Sequence, residues 1–262
     1  MTYIDNERNI ARTEAIIWIR ELQQLGARKL FLKNKNIRQA FRGSETLTCG
    51  DEGITFGIHS PGSGVLLSDD MCRRMVQRAE ITELTGHDNC GAFALAFPNI
   101  AKEDRNRVCR EYNKGRANVY GLSYRHLTAE EMNRPKTFHN AVAIYYDGTG
   151  EFNRIEGLPP GFVISRYYSP AAEEELKRYM TIAMGNDGLG SFFSTHTPLH
   201  VIALAHPTDR QFSLKRLQQE IYRVAKGHGN RVVIDGVKTS WFFYSREMES
   251  TKNESVPVAS SR

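Results

Sequence analysis

The tightest constraint on this chain is a pair of short apolar segments that each turn directly into soft metal ligands. The first reads Glu45-Thr-Leu-Thr-Cys49-Gly-Asp51, and the second runs Ile81-Thr-Glu-Leu-Thr-Gly-His87-Asp-Asn-Cys90-Gly91. Between them lie a Gly-rich turn, Ser60-Pro-Gly-Ser-Gly64, and a helix-like segment. A crossover of that length lets the two segments pair as parallel strands, with Cys49, His87 and Cys90 at their C-terminal ends. Two thiolates and an imidazole are the three ligands that zinc takes when a fourth position stays open for chemistry.

Composition bounds what surrounds this stretch. A chain of 262 residues is long enough for one large domain or two small ones. Hydrophobic content of 40% and charged content of 25% are those of a soluble globular protein. The net charge of only +5 favours anionic partners mildly and does not argue for nucleic acid. Basic residues thicken at Arg28, Lys29, Lys33, Lys35, Arg38 and Arg42, which reads as a solvated face; an RNA- or anion-binding surface there would have only Phe31 and Phe41 as an aromatic platform. Four cysteines do not make a disulfide framework. Cys49 and Cys90 sit in motif-like contexts, whereas Cys72 and Cys109 fall in charged helical segments, Cys109 as a structural bystander. The polar start has no signal-peptide core, and no run approaches the roughly 18 apolar residues of a membrane span. The expectation is a cytoplasmic protein with no membrane partner.

In chain order, Asn6 to Leu25 reads as an amphipathic helix with Ile10, Ile16, Ile17, Trp18, Leu22 and Leu25 on one side, stopped by Gly26. It is either an arm for a neighbouring subunit or a plain core helix. Glu45 to Thr48 and Val65 to Leu67 read as strands. Ser68 caps a helix running to Ala79, with Met71, Met75, Val76 and Ala79 inward. Ile81 to Thr85 is the next strand, Ala92 starts a helix that Pro98 interrupts, and Ala101 to Lys114 is a surface helix. Ala141 to Tyr146 and Glu151 to Ile155 read as two strands joined by a hairpin at Asp147-Gly-Thr-Gly150. Leu158-Pro-Pro-Gly161 is the strongest internal boundary. Beyond it, Pro170 to Met184 and Leu214 to Ala225 read as helices, and Leu199 to Ala205 and Val232 to Ile234 as strands. The expected organisation is an N-terminal helical arm over 1–27, a zinc domain over 28–158, a C-terminal αβ extension over 159–246 and a disordered tail over 247–262. The fold class is α/β, a mostly parallel sheet flanked by helices.

Cys49-x-Asp51 followed by His87-x-x-Cys90-Gly91 resembles the β-class carbonic anhydrases. Tyr146-Asp147-Gly-Thr149-Gly150 is similar to a Tyr-Asp-x-x-Thr-Gly segment of that family, and Pro61-Gly-Ser-Gly64 more loosely to its Asn-Ala-Gly loop. The likeness spans roughly 40–155. It implies zinc held by Cys49, His87 and Cys90, and hydration of carbon dioxide to bicarbonate by zinc-bound hydroxide. It also implies a homodimer or larger homo-oligomer, because the family's zinc sites lie between subunits. Asp51 then serves as the catalytic residue that accepts the zinc-water's hydrogen bond, or swings over as a fourth ligand.

One position departs from the pattern: Gly53 stands where the family has the arginine that holds the aspartate off the metal. Without that cation Asp51 has reason to close the site, unless an arginine arrives from elsewhere; Arg42 and Arg73 are near in sequence. On this reading Gly53→Arg raises activity. The alternatives are a catalytically inactive zinc scaffold or interaction module, and a zinc hydrolase of carbon disulfide or carbonyl sulfide. His59 reads as a surface-loop residue or a lining of the site. His206-Pro-Thr-Asp209 follows a strand as His87 does, but Asp209 replaces the cysteine and no Cys-x-Asp precedes it, which weighs against a worn second copy of the motif.

Overall fold

The alternation of strands and helices produces two sheets. A computed structural model describes residues 3–239; the tail expected over 247–262 lies outside the described residues. Helix α1 (Tyr3–Lys33) leads into β1 (Thr46–Thr48), β2 (Ile58–His59), α2 (Asp69–Arg78), β3 (Glu83–His87), α3 (Gly91–Ala96), α4 (Arg105–Tyr120) and β4 (Ser123–Leu127). The second half comprises β5 (Ala143–Asp147), β6 (Gly161–Ile164), α5 (Ala172–Met184), β7 (Leu199–Ala205), α6 (Leu214–Ala225) and β8 (Val232–Lys238). The sheets are ordered β2-β1-β3-β4 and β6-β5-β7-β8, and every pairing within them is parallel. This is the expected α/β class. Among the described residues no helix is long and apolar enough to cross a membrane.

The two sheets share one connectivity, and their packing fixes how the halves correspond. Leu47 pairs with Ile58 and Leu84 and packs with Cys72, Met75 and Val76 of α2 and Ala117 of α4. Tyr146 pairs with Ile164 and Ala203 and packs with Leu176 of α5 and Leu217 of α6. Aligning Leu47 with Tyr146 sets Gly148 at the place of Cys49, His206 at that of His87 and Asp209 at that of Cys90. The second half therefore repeats the architecture of the first, with both thiols gone. His206 is exposed there, with Nδ1 against the Thr208 hydroxyl at 3.0 Å. Asp209 accepts from the backbone N–H groups of Gln211 and Phe212.

The halves meet at their β2 and β6 edges. His59 N–H donates to Ser165 Oγ (2.8 Å) and Ser165 N–H returns to His59 O (3.1 Å), two residues that the alignment makes equivalent. Val163 N–H donates to Gly50 O at 3.0 Å. The Ser60 hydroxyl reaches across to Glu175 Oε1 at 2.8 Å, and burial raises that carboxyl to about 7.

Several local expectations change. Gly26, at φ 71, breaks the helical geometry, yet the helix resumes to Lys33. Its buried stripe is Ala11, Ala15, Ile19 and Leu22, leaving Ile10 and Ile17 exposed, because small residues let the helix lie close on the second sheet. Val65 to Leu67 is a turn rather than a strand: Val65 and Leu67 bond back to Gly62 O and Gly64 O, so no ladder forms. The hairpin after β5 is absent as well. The Asp147 carboxylate collects Thr149 N–H (2.8 Å), Gly150 N–H (3.1 Å) and Phe152 N–H (3.4 Å). This wraps the loop around one side chain, and the chain re-enters at β6 parallel to β5. Phe152 instead forms an antiparallel bridge with Phe41. The surface helix starts at Arg105, later than expected, and β4 was not anticipated.

A Cβ on Gly50 would lie 2.1 Å from Val163 O and 2.3 Å from Tyr179 Oη, backbone and a packed ring that cannot both retreat. Gly50→Ala is therefore expected to cost about 1–3 kcal/mol, read as a lower urea midpoint; an unchanged midpoint would show that the seam does not hold the halves together.

Candidate metal centre

Strand ends and helix starts converge on one buried cluster. Leu47 and Leu84 register β1 beside β3, which sends Cys49 and His87 out of the same edge of the sheet. The chain then turns through Asn89, at φ 56, and Cys90 caps α3, its Sγ accepting Phe93 N–H at 3.4 Å. The ligand atoms of Cys49, His87 and Cys90 all lie within 4.8 Å of one another and are buried, so the three could hold a metal ion.

The imidazole is set for that role. His87 Nδ1–H donates to Asp88 O at 2.9 Å, which leaves the lone pair on Nε2. That Nε2 is buried and has no hydrogen-bond partner. A buried polar atom without a partner costs free energy, and a cation between it and the thiols removes the cost. In the metal-free state the thiols resist ionising: Cys49 is raised by its hydrogen bond to Cys90 and by burial, and Cys90 by its contact with Cys109 and by burial. Burial lowers His87, but the neighbouring Cys49 sulfur outweighs this and lifts it to about 9. A metal must displace these protons.

The first thiol is supported from both halves of the chain. Gly62 N–H donates to Cys49 Sγ at 3.1 Å from a tight 3-10 turn, where Gly62, Ser63 and Gly64 all take positive φ. Arg116, buried, pins that turn by donating to Ser63 O and Gly64 O, both at 3.2 Å. From α5, Tyr179 brings its hydroxyl to 4.0 Å from Cys49 Sγ, with its ring stacked on Phe162 at 4.5 Å. His59 is not a surface residue: β2 buries it, Nδ1–H donates to Cys49 O at 3.0 Å, and burial lowers its pKa to about 4.

Asp51 does not join the Cys49, His87 and Cys90 group. Its Oδ1 accepts Arg134 Nε–H at 2.7 Å and Gly53 N–H at 2.9 Å. Burial alone would raise this carboxyl, but Arg134 and His87 lead the charges that hold it down at about 2. Arg134 also donates to Asn89 O at 3.4 Å, so it joins the two ligand segments. Neither Arg42 nor Arg73 fills this role: Arg42 is exposed and Arg73 lies over the Tyr120 ring. Gly53 now has a reason. A Cβ there would sit 3.0 Å from both Arg134 Cγ and Met132 Cε, so the missing side chain makes room for the arginine.

Behind this pair, Glu52 accepts His139 Nδ1–H at 2.8 Å and Asn140 N–H at 3.1 Å. Asp51, Glu52 and His139 form a second group that could hold a metal. Its two carboxylates already face a guanidinium and an imidazole whose pKa Glu52 raises against the effect of burial, so the charges balance without a cation. Arg134, His139 and Tyr179 carried no motif in the sequence, since each reaches the centre only through the fold. Cys109 is no bystander: buried beneath the ligand turn, its Sγ lies 3.8 Å from His87 O and accepts from Asn113 Nδ2 at 3.4 Å.

Two outcomes follow from the Asp51–Arg134 pair. The folded carboxyl lies below its ordinary value of about 3.9, so the stability it confers is present above that pH and is lost as pH falls toward 2. Arg134→Met should abolish this acid-limb dependence and destabilise the protein by about 3–5 kcal/mol, read by denaturant unfolding across pH; a variant as stable as the parent would contradict the pairing. Gly53→Arg, expected from the sequence to raise activity, is instead expected to displace Arg134 and lower stability.

No family model, no curated protein and no solved structure matches the chain.

Proposed function

We propose that this chain is a zinc-dependent, carbonic anhydrase-like lyase that hydrates carbon dioxide to bicarbonate. The observation that carries this reading is the buried, unpartnered His87 Nε2 grouped with the Cys49 and Cys90 thiols, beside an Asp51 that is ion-paired rather than free. Two sulfurs and one imidazole suit zinc among the biological metals. Zinc held there would lower the pKa of a coordinated water from ~15.7 toward ~7, supplying a nucleophile at neutral pH.

The chain's own residues do the rest. Arg134 keeps Asp51 ionised and engaged on one oxygen, which would leave a fourth metal position open and let the other oxygen, 3.8 Å from His139 Nδ1, accept a hydrogen bond from the water. Gly62 N–H and Tyr179 O–H temper the charge on Cys49 Sγ. Every ligand is buried, which suits a small, uncharged substrate such as carbon dioxide. The paired Asp51 weighs against the alternative of a closed, inactive zinc scaffold. Carbon disulfide or carbonyl sulfide would meet the same nucleophile and are separated by assay.

The resemblance to the β-class enzymes implied a second subunit beside each centre. In this reading the second half of the chain takes that place through Tyr179, His139 and Glu175, so one chain suffices. About one zinc per chain is expected, with activity per chain unchanged on dilution; two zincs per chain, or activity lost on dilution, would count against it. Stopped-flow hydration at about pH 8 should show turnover above buffer, falling roughly 10–100-fold in Arg134→Met and Asp51→Asn. Zinc-loaded protein no faster than buffer would sink the enzyme reading and leave the scaffold.

A further inference from the structure

Away from the metal centre, the first turns of α1 carry two arginines that the fold leaves without a negative partner. Arg8 and Arg12 are four positions apart, so their side chains share one face of the helix. That face lies beside the loop after α5: Arg8 Nη2 donates to Asn186 O at 3.0 Å, and Arg12 Nη2 to Leu189 O at 3.3 Å. The Arg8 guanidinium also sits 5.0 Å from the centre of the Phe138 ring. Gly188 lets the loop fold back on the end of α5, since a Cβ there would lie 2.4 Å from Ala183 O and 2.5 Å from Ile182 O. Both guanidiniums are thus held in place and half-buried, and neither makes an ion pair among the described residues. The Nε of each is buried and has no hydrogen-bond partner. A buried donor without an acceptor costs free energy, as does a packed cation without an anion. Asp5, Arg8, Asn9 and Arg12 line a cavity of about 490 Å³ that opens to solvent, within the size range of small-molecule sites.

We infer that this cavity binds the phosphate group of a small molecule. The other terminal nitrogen of each fork, Nη1, makes no hydrogen bond among the described residues and is left for a ligand. A tetrahedral phosphate presents enough oxygens to accept from both forks at once, and its double charge matches two guanidiniums. A carboxylate brings a single charge and two oxygens in one plane. Arginines that merely solvated the helix would leave their heads in water, whereas these are fastened to carbonyls and a ring. The cavity also has room beyond the phosphate, where Asn9 and Asp5 lie exposed on its lip. An amide and a carboxylate both accept from hydroxyl groups. The ligand class is therefore a phosphate monoester with a hydroxylated carrier, and inorganic phosphate shares its anchoring group. Asp5 repels the bare anion, and hydroxyl groups on the carrier offset that repulsion. None of the four lining residues belongs to the Cys49, His87 and Cys90 group, so the site needs no metal.

Isothermal titration calorimetry on the full chain at about pH 8, where phosphate is largely a dianion, tests this with inorganic phosphate, glycerol 3-phosphate, acetate and glycerol. Saturable binding of both phosphates is expected, the ester being the tighter, with acetate at least about tenfold weaker and glycerol silent. The same affinities should appear with and without added zinc, which separates this site from any anion held by the metal. Arg8→Gln and Arg12→Gln should each weaken phosphate binding at least about tenfold, with urea unfolding confirming that both remain folded. Arg20→Gln, which alters an exposed arginine of the same helix outside the cavity, should leave binding unchanged. Asp5→Asn should tighten inorganic phosphate by about two- to fivefold, because it removes a negative charge from the lip. The inference is overturned by a parent that shows no saturable phosphate binding, by acetate binding as tightly as phosphate, or by equal affinity in Arg20→Gln and both cavity variants. If the glutamine variants fail to fold, Asp5→Asn decides, and an unchanged phosphate affinity there overturns the site.

Discussion

The buried pair of Asp51 and Arg134 is the interaction on which the centre depends. A carboxylate two residues along the chain from Cys49 has every electrostatic reason to close on a cation held there. What prevents it is a guanidinium 2.7 Å away, backed by a backbone N–H, in a place where water cannot screen the pair. The pair costs desolvation to assemble, so it is weak evidence for stability in itself. Its consequence is geometric: Asp51 is committed, and the two ligand segments are tied together through Asn89 O. Gly53 belongs to the same device, because a Cβ there would crowd Arg134 Cγ and Met132 Cε at 3.0 Å.

The second constraint is the seam between two halves of like connectivity. The parallel order β2-β1-β3-β4 recurs as β6-β5-β7-β8, and the halves join where His59 and Ser165 exchange hydrogen bonds. Only the first half keeps its thiols. The second has spent the corresponding loop on an internal scaffold, with Asp147 gathering the backbone N–H groups of Thr149, Gly150 and Phe152. Its remaining contribution is to the other half's centre, where Tyr179 from α5 reaches Cys49, while the segment leading into β5 brings His139 to Glu52. Loss of one centre and support of the other are thus two sides of one arrangement.

The parts of this architecture that were legible in the sequence are those that local chemistry decides. Ser68 caps α2 where its hydroxyl accepts Met71 N–H, α6 runs from Leu214 to Ala225 as its apolar spacing requires, and Cys49, His87 and Cys90 come together as a group that could hold a metal. Elsewhere tertiary contacts overrule local preference. The continuation of α1 past Gly26 depends on Leu30 and Phe31 burying against Tyr145 and Val163. The Asp-Gly-Thr-Gly loop has the composition of a hairpin, but its carboxylate is consumed internally and the next strand pairs in parallel. Arg134 lay beyond reach because it sits 83 positions from Asp51 in a segment without periodicity. A missing arginine at 53 was visible; its replacement was a matter of three-dimensional placement alone.

A metal held by Cys49, His87 and Cys90 while Asp51 stays paired with Arg134 can be seen by anomalous diffraction at the zinc edge, on crystals of the zinc-loaded full chain. One peak is expected in the first half, bounded by Cys49 Sγ, Cys90 Sγ and His87 Nε2, with Asp51 still on Arg134. A peak with Asp51 as its fourth ligand, or no peak among these residues, would contradict it.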